Sequence, residues 1–339
     1  MFYLKYRPRN ISEIDNIEAS LAIGNVLASK NMPHALLFIG QKGTGKTSTA
    51  RIVAKALNCL NKKGIEPCNK CANCLSIDAS SSVDVVEMDA ASNRGIDEIR
   101  NLIKEIAFVP MTGTYRVFII DEAHMITPDA FNALLKTLEE PPDSVIFILA
   151  TTALEKIPKT ISSRCFTINF GKAKKQDLLK MLKRICEAEK LEVDEKLLTL
   201  VIAHADSSFR DAAKILEELV MQEKLKPEDA EKFLGLVGKQ SLLSIIEGSD
   251  LKASLEWIEE FELGGGNTKH LIEQVLSELR ELLLAKHGLL KEEEVTSKFS
   301  VAQIAHLMKL FTVAYDNLKK TPVEAIALEL AVVDFYNKA

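Results

Sequence analysis

The sequence predicts a parallel α/β sheet domain followed by an all-helical remainder, on three observations. Short apolar runs alternate with segments of helical period through the first half of the chain. A glycine-rich loop stands between the first such run and a helix. After Gly171 strand-like runs cease, and the chain reads as helices with short polar joints.

The expected strands are the apolar runs 35–39, 84–88, 116–120, 145–150 and 165–170. Helices are expected near 45–58, 95–107 and 127–139. Their alternation with the strands predicts a parallel sheet covered on both faces. Thr127-Pro128 is a good helix start, with Thr as N-cap and Pro at the first helical position, and Pro141-Pro142 stops that helix. Further breaks are expected at Gly171-Lys172-Ala173, Lys226-Pro227 and Gly235-Leu236-Val237-Gly238, with a flexible joint at Gly264-Gly265-Gly266-Asn267. Within 268–287, Ile272, Val275, Leu276, Leu279, Leu282 and Leu283 form one apolar face. An internal core helix accounts for most of that face, and pattern alone does not separate it from an oligomer interface.

At 339 residues the chain has room for two or three domains, and its 47% hydrophobic content is that of an ordinary globular protein. No apolar run is long enough to span a bilayer, and the N-terminus lacks signal-peptide architecture, so a cytoplasmic location is expected. The net charge is −5, so contact with nucleic acid requires a local basic surface or an assembly.

The run from Gly40 through Gln41, Lys42, Gly43, Thr44, Gly45 and Lys46 to Thr47 matches G-x-x-x-x-G-K-S/T without a gap. It has the strand before it and the helix after it that a phosphate-binding loop needs. Its backbone N–H groups can turn around phosphate oxygens, and the helix N-terminus adds partial positive charge. Lys46 is placed for the β- and γ-phosphates, and Thr47 for Mg²⁺. A plain glycine turn is the bland alternative. The strand 116–120 ends in Asp121-Glu122-Ala123-His124. A carboxylate at the C-terminal end of a parallel strand lies beside such a loop, so Asp121 is expected at Mg²⁺ and Glu122 at the attacking water. Without the upstream loop, the same pair would read as a solvated helix start.

Four of the six cysteines, Cys59, Cys68, Cys71 and Cys74, fall within sixteen positions. In a reducing compartment a tight cluster points to metal rather than disulfides. Four thiolates close a tetrahedral Zn²⁺ site and leave no position for substrate, so a structural zinc is expected. Cys165 and Cys186 are expected to pack in a strand and a helix.

Together these residues resemble the AAA+ clamp-loader ATPases of bacterial replication. The match runs in order from Arg7-Pro8 through the 40–47 loop, the four-cysteine insertion and Asp89-Ala90-Ala91-Ser92 to Asp121-Glu122-Ala123-His124-Met125. It continues through Phe131 to Pro142, Leu149-Ala150-Thr151-Thr152, Ser163-Arg164-Cys165 and Phe209-Arg210-Asp211-Ala212. It covers about residues 5–215, and the last hundred residues agree only in being helical. Where relatives often carry Val-Gly-Gln, this chain reads Ile14-Asp15-Asn16-Ile17-Glu18.

The resemblance implies roles that spacing does not. It makes Arg164 an arginine finger acting on the ATP of the next subunit, with Thr152 and Arg210 reading the γ-phosphate and Arg7 in the ATP-binding set. It implies phosphate contacts to primer–template DNA without sequence preference, for which Asn93 and Arg94 are candidates. It implies a helical lid at 171–237 and an oligomerising collar at 238–339, behind an ATPase domain at 1–170. The implied partners are delta- and delta-prime-type subunits and a sliding clamp, in a five-subunit spiral. ATP, Mg²⁺ and Zn²⁺ are the implied ligands, and clamp loading by a hydrolysing motor subunit of the polymerase holoenzyme is the implied activity. With the chain ending at Ala339, loading without tethering to polymerase or helicase is expected. The rivals are a non-hydrolysing neighbour subunit, another AAA+ motor such as a Holliday-junction helicase, and a zinc-stabilised interaction module.

Overall fold

The computed structural model describes every residue except Lys30, Arg94, Ala107, 234–241, Ser249, 264–267, 290–296, Lys319 and Ala339. The breaks expected at 235–238 and 264–267 lie outside the described residues. The chain divides into two compact units, Met1–Glu223 and Lys224–Ala339. The boundary expected near residue 171 falls inside the first unit.

The first unit begins with α1 (Phe2–Lys5), a short 3₁₀ turn (Ile11–Glu13) and α2 (Ile17–Ala28). The α/β alternation follows: β1 (Ala35–Gly40), α3 (Lys46–Asn58), α4 (Ala72–Asp78), β2 (Val85–Asp89), α5 (Ile96–Ile106), β3 (Arg116–Asp121), α6 (Pro128–Glu139), β4 (Val145–Thr151), α7 (Lys159–Ser162) and β5 (Phe166–Gly171). Three helices close the unit: α8 (Lys175–Glu189), α9 (Glu195–His204) and α10 (Phe209–Met221). The expected strands and helices all form, with ends shifted by a residue or so.

The sheet is parallel with strand order β2-β3-β4-β1-β5. The central strands β1, β3 and β4 are buried on both faces, which is why they read as continuous apolar runs rather than alternating ones. Successive residues face opposite ways. Leu37, Phe118, Ile120, Phe147 and Leu149 meet Ile99 and Leu102 of α5 and Phe131, Leu134 and Leu138 of α6. Leu36, Phe38, Val117, Ile119, Ile146 and Ile148 meet Ile23 of α2 and Ile52 and Val53 of α3 on the other face. Phe118 and Phe147 stack in the first layer with ring centroids 5.5 Å apart.

Pro128 occupies the first turn of α6 as expected, while Thr127 sits at the N-cap without a side-chain bond to the helix. Asn16 caps α2, accepting from the Ala19 amide at 3.0 Å and donating to the Phe170 carbonyl at 2.7 Å. One buried amide thus ties α2 to the end of β5.

The second unit contains α11 (Pro227–Phe233), α12 (Leu242–Gly248), α13 (Leu251–Leu263), α14 (Thr268–Lys286), α15 (Val301–Asn317) and α16 (Glu324–Lys338). Its core gathers the apolar face of α14: Ile272, Val275 and Leu279 are buried in it, and Leu276, Leu282 and Leu283 pack against it. Ser300 and Gln303 form a capping box at the start of α15. No described helix of either unit is long and apolar enough to cross a membrane.

Candidate nucleotide site and cysteine cluster

β1 delivers the glycine loop to the C-terminal edge of the sheet, where open α/β folds place ligands. Gly43 and Gly45 hold φ of +78° and +97°, conformations that a side chain would strain. A Cβ on Gly43 would also collide with the Ser208 side chain. The loop therefore touches the start of α10, and the Gly43 carbonyl accepts from the Arg210 amide at 3.4 Å.

Lys46 opens α3 and is buried, with its ammonium on the carbonyls of Gly40 and Gln41 at 2.8 Å each. Burial lowers its pKa, against the opposing pull of Glu122 and Asp121. Thr47 Oγ1 donates to Asp121 Oδ2 at 2.6 Å. Glu122 takes a left-handed backbone at φ +47°, uncommon for a residue with a side chain. Its Oε2 accepts from Thr152 Oγ1 at 3.2 Å and lies 3.4 Å from His124 Nδ1.

These groups surround a cavity of about 340 Å³. Lys42, Gly43, Thr44, Gly45, Lys46, Thr47, Asp121 and Glu122 line one end of it. Arg7, Arg210 and apolar groups such as Met181, Ile185 and Phe209 line the rest. Gly40, Gln41 and Thr152 do not line it; Gly40 lies too close to Phe170 for a Cβ, which would stand 2.8 Å from Phe170 Cβ. Arg7 donates to Ser48 Oγ at 2.7 Å, and Arg210 lies over the Tyr3 ring at 5.1 Å.

Arg164 stands apart from the cavity, exposed, bonded to the Thr160 carbonyl at 2.6 Å and to the Glu139 carboxylate. Asn93 is exposed and donates to the Asp89 carbonyl at 3.1 Å, while Arg94 lies outside the described residues.

The four clustered cysteine sulfurs lie within 4.8 Å of one another. Backbone amides point at three of them: Cys68 N at Cys59 Sγ (3.2 Å), Cys71 N at Cys68 Sγ (3.3 Å) and Cys74 N at Cys71 Sγ (3.5 Å). The amides of Lys70 and Cys71 pull the Cys68 thiol down to about 6. Burial resists ionisation of Cys71, and the amides of Cys74 and Leu60 help outweigh it. Burial pushes the Cys74 thiol up. Four sulfurs at this spacing, with amides favouring thiolate, fit a tetrahedral Zn²⁺ and leave it no open position. Cys165 sits just before β5 rather than in it, packed against the sheet core, and burial pushes its thiol up to about 11. Cys186 is buried within α8.

Sequence reading missed two groups of residues that hold the site in place. Buried Asp84, just before β2, accepts from Met111 N (2.7 Å), Thr112 N (2.7 Å), Thr112 Oγ1 (2.8 Å) and Gly113 N (2.8 Å). Burial resists its ionisation, and those donors together leave its carboxyl below the ordinary value. Asn58 accepts from the amides of Thr114 and Tyr115, and Asn73 of α4 donates to the carbonyls of Asn58 and Thr112. This network fixes the approach to β3 and hence Asp121. The second missed group is Asp15 and Asn16, which line the cavity. Burial pushes the Asp15 carboxyl up to about 6, against the Arg184 guanidinium 3.0 Å away. Single polar residues in loops or at helix ends gave no periodic signal by which to find any of these.

Residues 17–174 match the model of a family described as "DNA polymerase III, delta subunit". The chain is 37% identical over 349 residues to DNA polymerase III subunit tau of Bacillus subtilis (strain 168), covering 98% of this chain and 62% of that one. It is 36% identical over 284 residues to DNA polymerase III subunit gamma/tau of Mycoplasma genitalium, covering 82% of this chain and 48% of that one. It is 33% identical over 293 residues to DNA polymerase III subunit gamma of Buchnera aphidicola subsp. Baizongia pistaciae, covering 83% and 78%. Against the first two, the chain spans only about half to three-fifths of the relative's length.

Proposed function

This chain belongs to the family of bacterial DNA polymerase III gamma/tau subunits, and from that premise we propose that it hydrolyses ATP to load a ring-shaped sliding clamp onto primed DNA. The observation that carries the reading is the convergence of Lys46, Thr47, Asp121, Glu122, Arg7 and Arg210 on one cavity.

The triphosphate lies along the backbone N–H groups of 43–47, where the start of α3 favours negative charge. Lys46 exchanges its two carbonyl partners for β- and γ-phosphate oxygens. Thr47 and Asp121 present the oxygens that would hold Mg²⁺, which when bound neutralises charge on the phosphates. Glu122 leaves Thr152, accepts a hydrogen bond from the attacking water and orients it in line with the γ-phosphorus. Thr152 and Arg210 then read the γ-phosphate, so nucleotide state sets the angle of a helical lid at 171–237. The base lies toward Met181, Ile185 and Phe209, whose apolar surface suits an aromatic ring.

Arg164 acts on the nucleotide of the adjacent protomer, where a finger of this kind contributes about 10³–10⁵ in rate. Residues 238–339 form the collar of a five-membered spiral with delta- and delta-prime-type subunits. ATP-bound and ADP-bound spirals differ in affinity for clamp and DNA, so turnover shifts the population from a clamp-holding to a clamp-releasing state. Contacts to primer–template DNA go to phosphates and carry no sequence preference; Asn93 and Arg94 are candidates for them. Cys59, Cys68, Cys71 and Cys74 hold a structural Zn²⁺. The complex works in the cytoplasm.

The test is the ATPase rate of the complex reconstituted with its partner subunits, with and without clamp and primed DNA. Turnover stimulated strongly by both together supports the reading. A rate indifferent to them overturns clamp loading, and full function after Lys46→Ala overturns the ATP site.

A further inference from the structure

The geometry points to a positioning role for Glu66 on the cysteine loop: we propose that its carboxylate holds the N-terminal wall of the nucleotide cavity in its binding conformation. The inference rests on the nucleotide reading of that cavity and deepens it.

Glu66 Oε2 accepts the Ile11 amide at 2.7 Å, and its Oε1 accepts the Ser12 amide at 2.9 Å. These are the first two amides of the turn Ile11–Glu13, whose own N-cap, Asn10, makes no side-chain bond to them and donates instead to the Glu13 carboxylate at 2.8 Å. A carboxylate from 54 and 55 positions away thus does the work of a local cap. A second tie runs beside it: Asn69 Nδ2 donates to Asn10 Oδ1 at 2.7 Å, and Asn69 Oδ1 accepts from buried Lys55 at 2.7 Å. Lys55 is anchored in turn on Asp78 of α4 at 2.9 Å. Ile65 packs against the core layer that contains Ile11 and Ile14.

The loop that carries these groups is itself constrained. Lys63 and Glu66 exchange both backbone bonds, at 3.0 and 3.1 Å. Glu66 and Asn69 lie between Cys59 and Cys71 in sequence, within the segment that the four cysteines of the sulfur cluster span. Immediately beyond the clamped turn the same N-terminal segment becomes cavity wall, with Arg7 and Pro8 before it and Ile14, Asp15 and Asn16 after it. A wall fixed before the ligand arrives spares the ordering entropy that binding would otherwise cost, so its release weakens affinity rather than the chemical step.

Glu66→Gln turns one acceptor into a donor facing an amide N–H. Expected are faster hydrogen exchange across 10–16 in the nucleotide-free protein, an ATP Kd about five- to tenfold higher, and an unchanged kcat at saturation. Glu66→Asp restores part of the affinity, and Lys62→Ala, on the same loop but exposed, changes neither readout. Unchanged exchange in Glu66→Gln overturns the clamp. Raised exchange with unchanged Kd, or a loss confined to kcat, overturns the link to the cavity. If the unaltered protein binds no ATP, the nucleotide reading fails instead, and the exchange measurement still decides whether Glu66 holds the turn.

Discussion

Thr47 and Asp121, 74 positions apart in sequence, meet as a 2.6 Å hydrogen bond at the ends of β1's loop and β3. The hydroxyl of one strand's loop and the carboxylate of another strand's end converge because both strands run parallel, with β4 between them. That arrangement puts two oxygens beside Lys46, where a divalent cation and the phosphates it neutralises would sit.

Glu122 is the group whose removal best separates binding from chemistry. Glu122→Gln is expected to lower kcat by about 10²–10⁴ while ATP affinity is kept. Single-turnover hydrolysis alongside equilibrium nucleotide titration checks this. Turnover near that of the unaltered protein would show that the water is positioned by another group.

Gly43→Ala tests the contact between the glycine loop and α10. The substitution places a side chain at φ +78° and drives it into Ser208. A loss of about 1–3 kcal/mol is expected, read by denaturant unfolding. Ser208→Gly opens the space and recovers only the steric part, since the backbone strain remains.

Asp84 and Asp15 give opposite pH signatures. The folded state depresses the Asp84 pKa, so its contribution is present above about pH 4 and is lost as pH falls through the lower folded value. Asp84→Ala strands four donors and is expected to cost about 3 kcal/mol at neutral pH. Asp15 is raised to about 6 from 3.8, so the folded state holds its proton longer than the unfolded chain. Stability then falls as pH rises between about 4 and 6, by about 3 kcal/mol. Asp15→Asn should flatten that interval and leave the acid limb governed by Asp84 intact. Unfolding free energies from pH 3 to pH 8 separate the two, and a slope between about pH 4 and 6 that survives Asp15→Asn refutes the assignment.

Bound zinc should protect four of the six thiols. One Zn²⁺ per chain by elemental analysis is expected, with Cys59, Cys68, Cys71 and Cys74 unreactive to maleimide until a chelator is added. Modification of those four before chelation would refute a closed tetrathiolate.

Much of the sheet was legible because burial on both faces demands apolar runs, and those runs mark 35–39 and 145–150 within a residue or two. The glycine loop was legible because its residues are contiguous in the chain and its turn needs glycine at the positive φ of Gly43 and Gly45. Asp84, Asn58, Asn73 and Glu66 were not, because each acts on backbone groups 15 to 57 residues away and follows no local period. Cys165 was expected in a strand and lies just before one, since the turn after α7 extends one residue further.

The sequence by itself determined the parallel α/β class, the glycine loop, the paired carboxylates after β3 and the four-cysteine cluster. Each depends on neighbours in the chain or on the hydrophobic period, which local physics dictates. Only the tertiary structure decided that Asp15 and Met181 enclose the same cavity as Lys46, beside the Arg7 and Arg210 that the family resemblance had placed with it, and that the cysteine loop reaches the turn next to it. Those juxtapositions arise from the packing of helices against the sheet and from long-range hydrogen bonds, which closure of the whole unit creates.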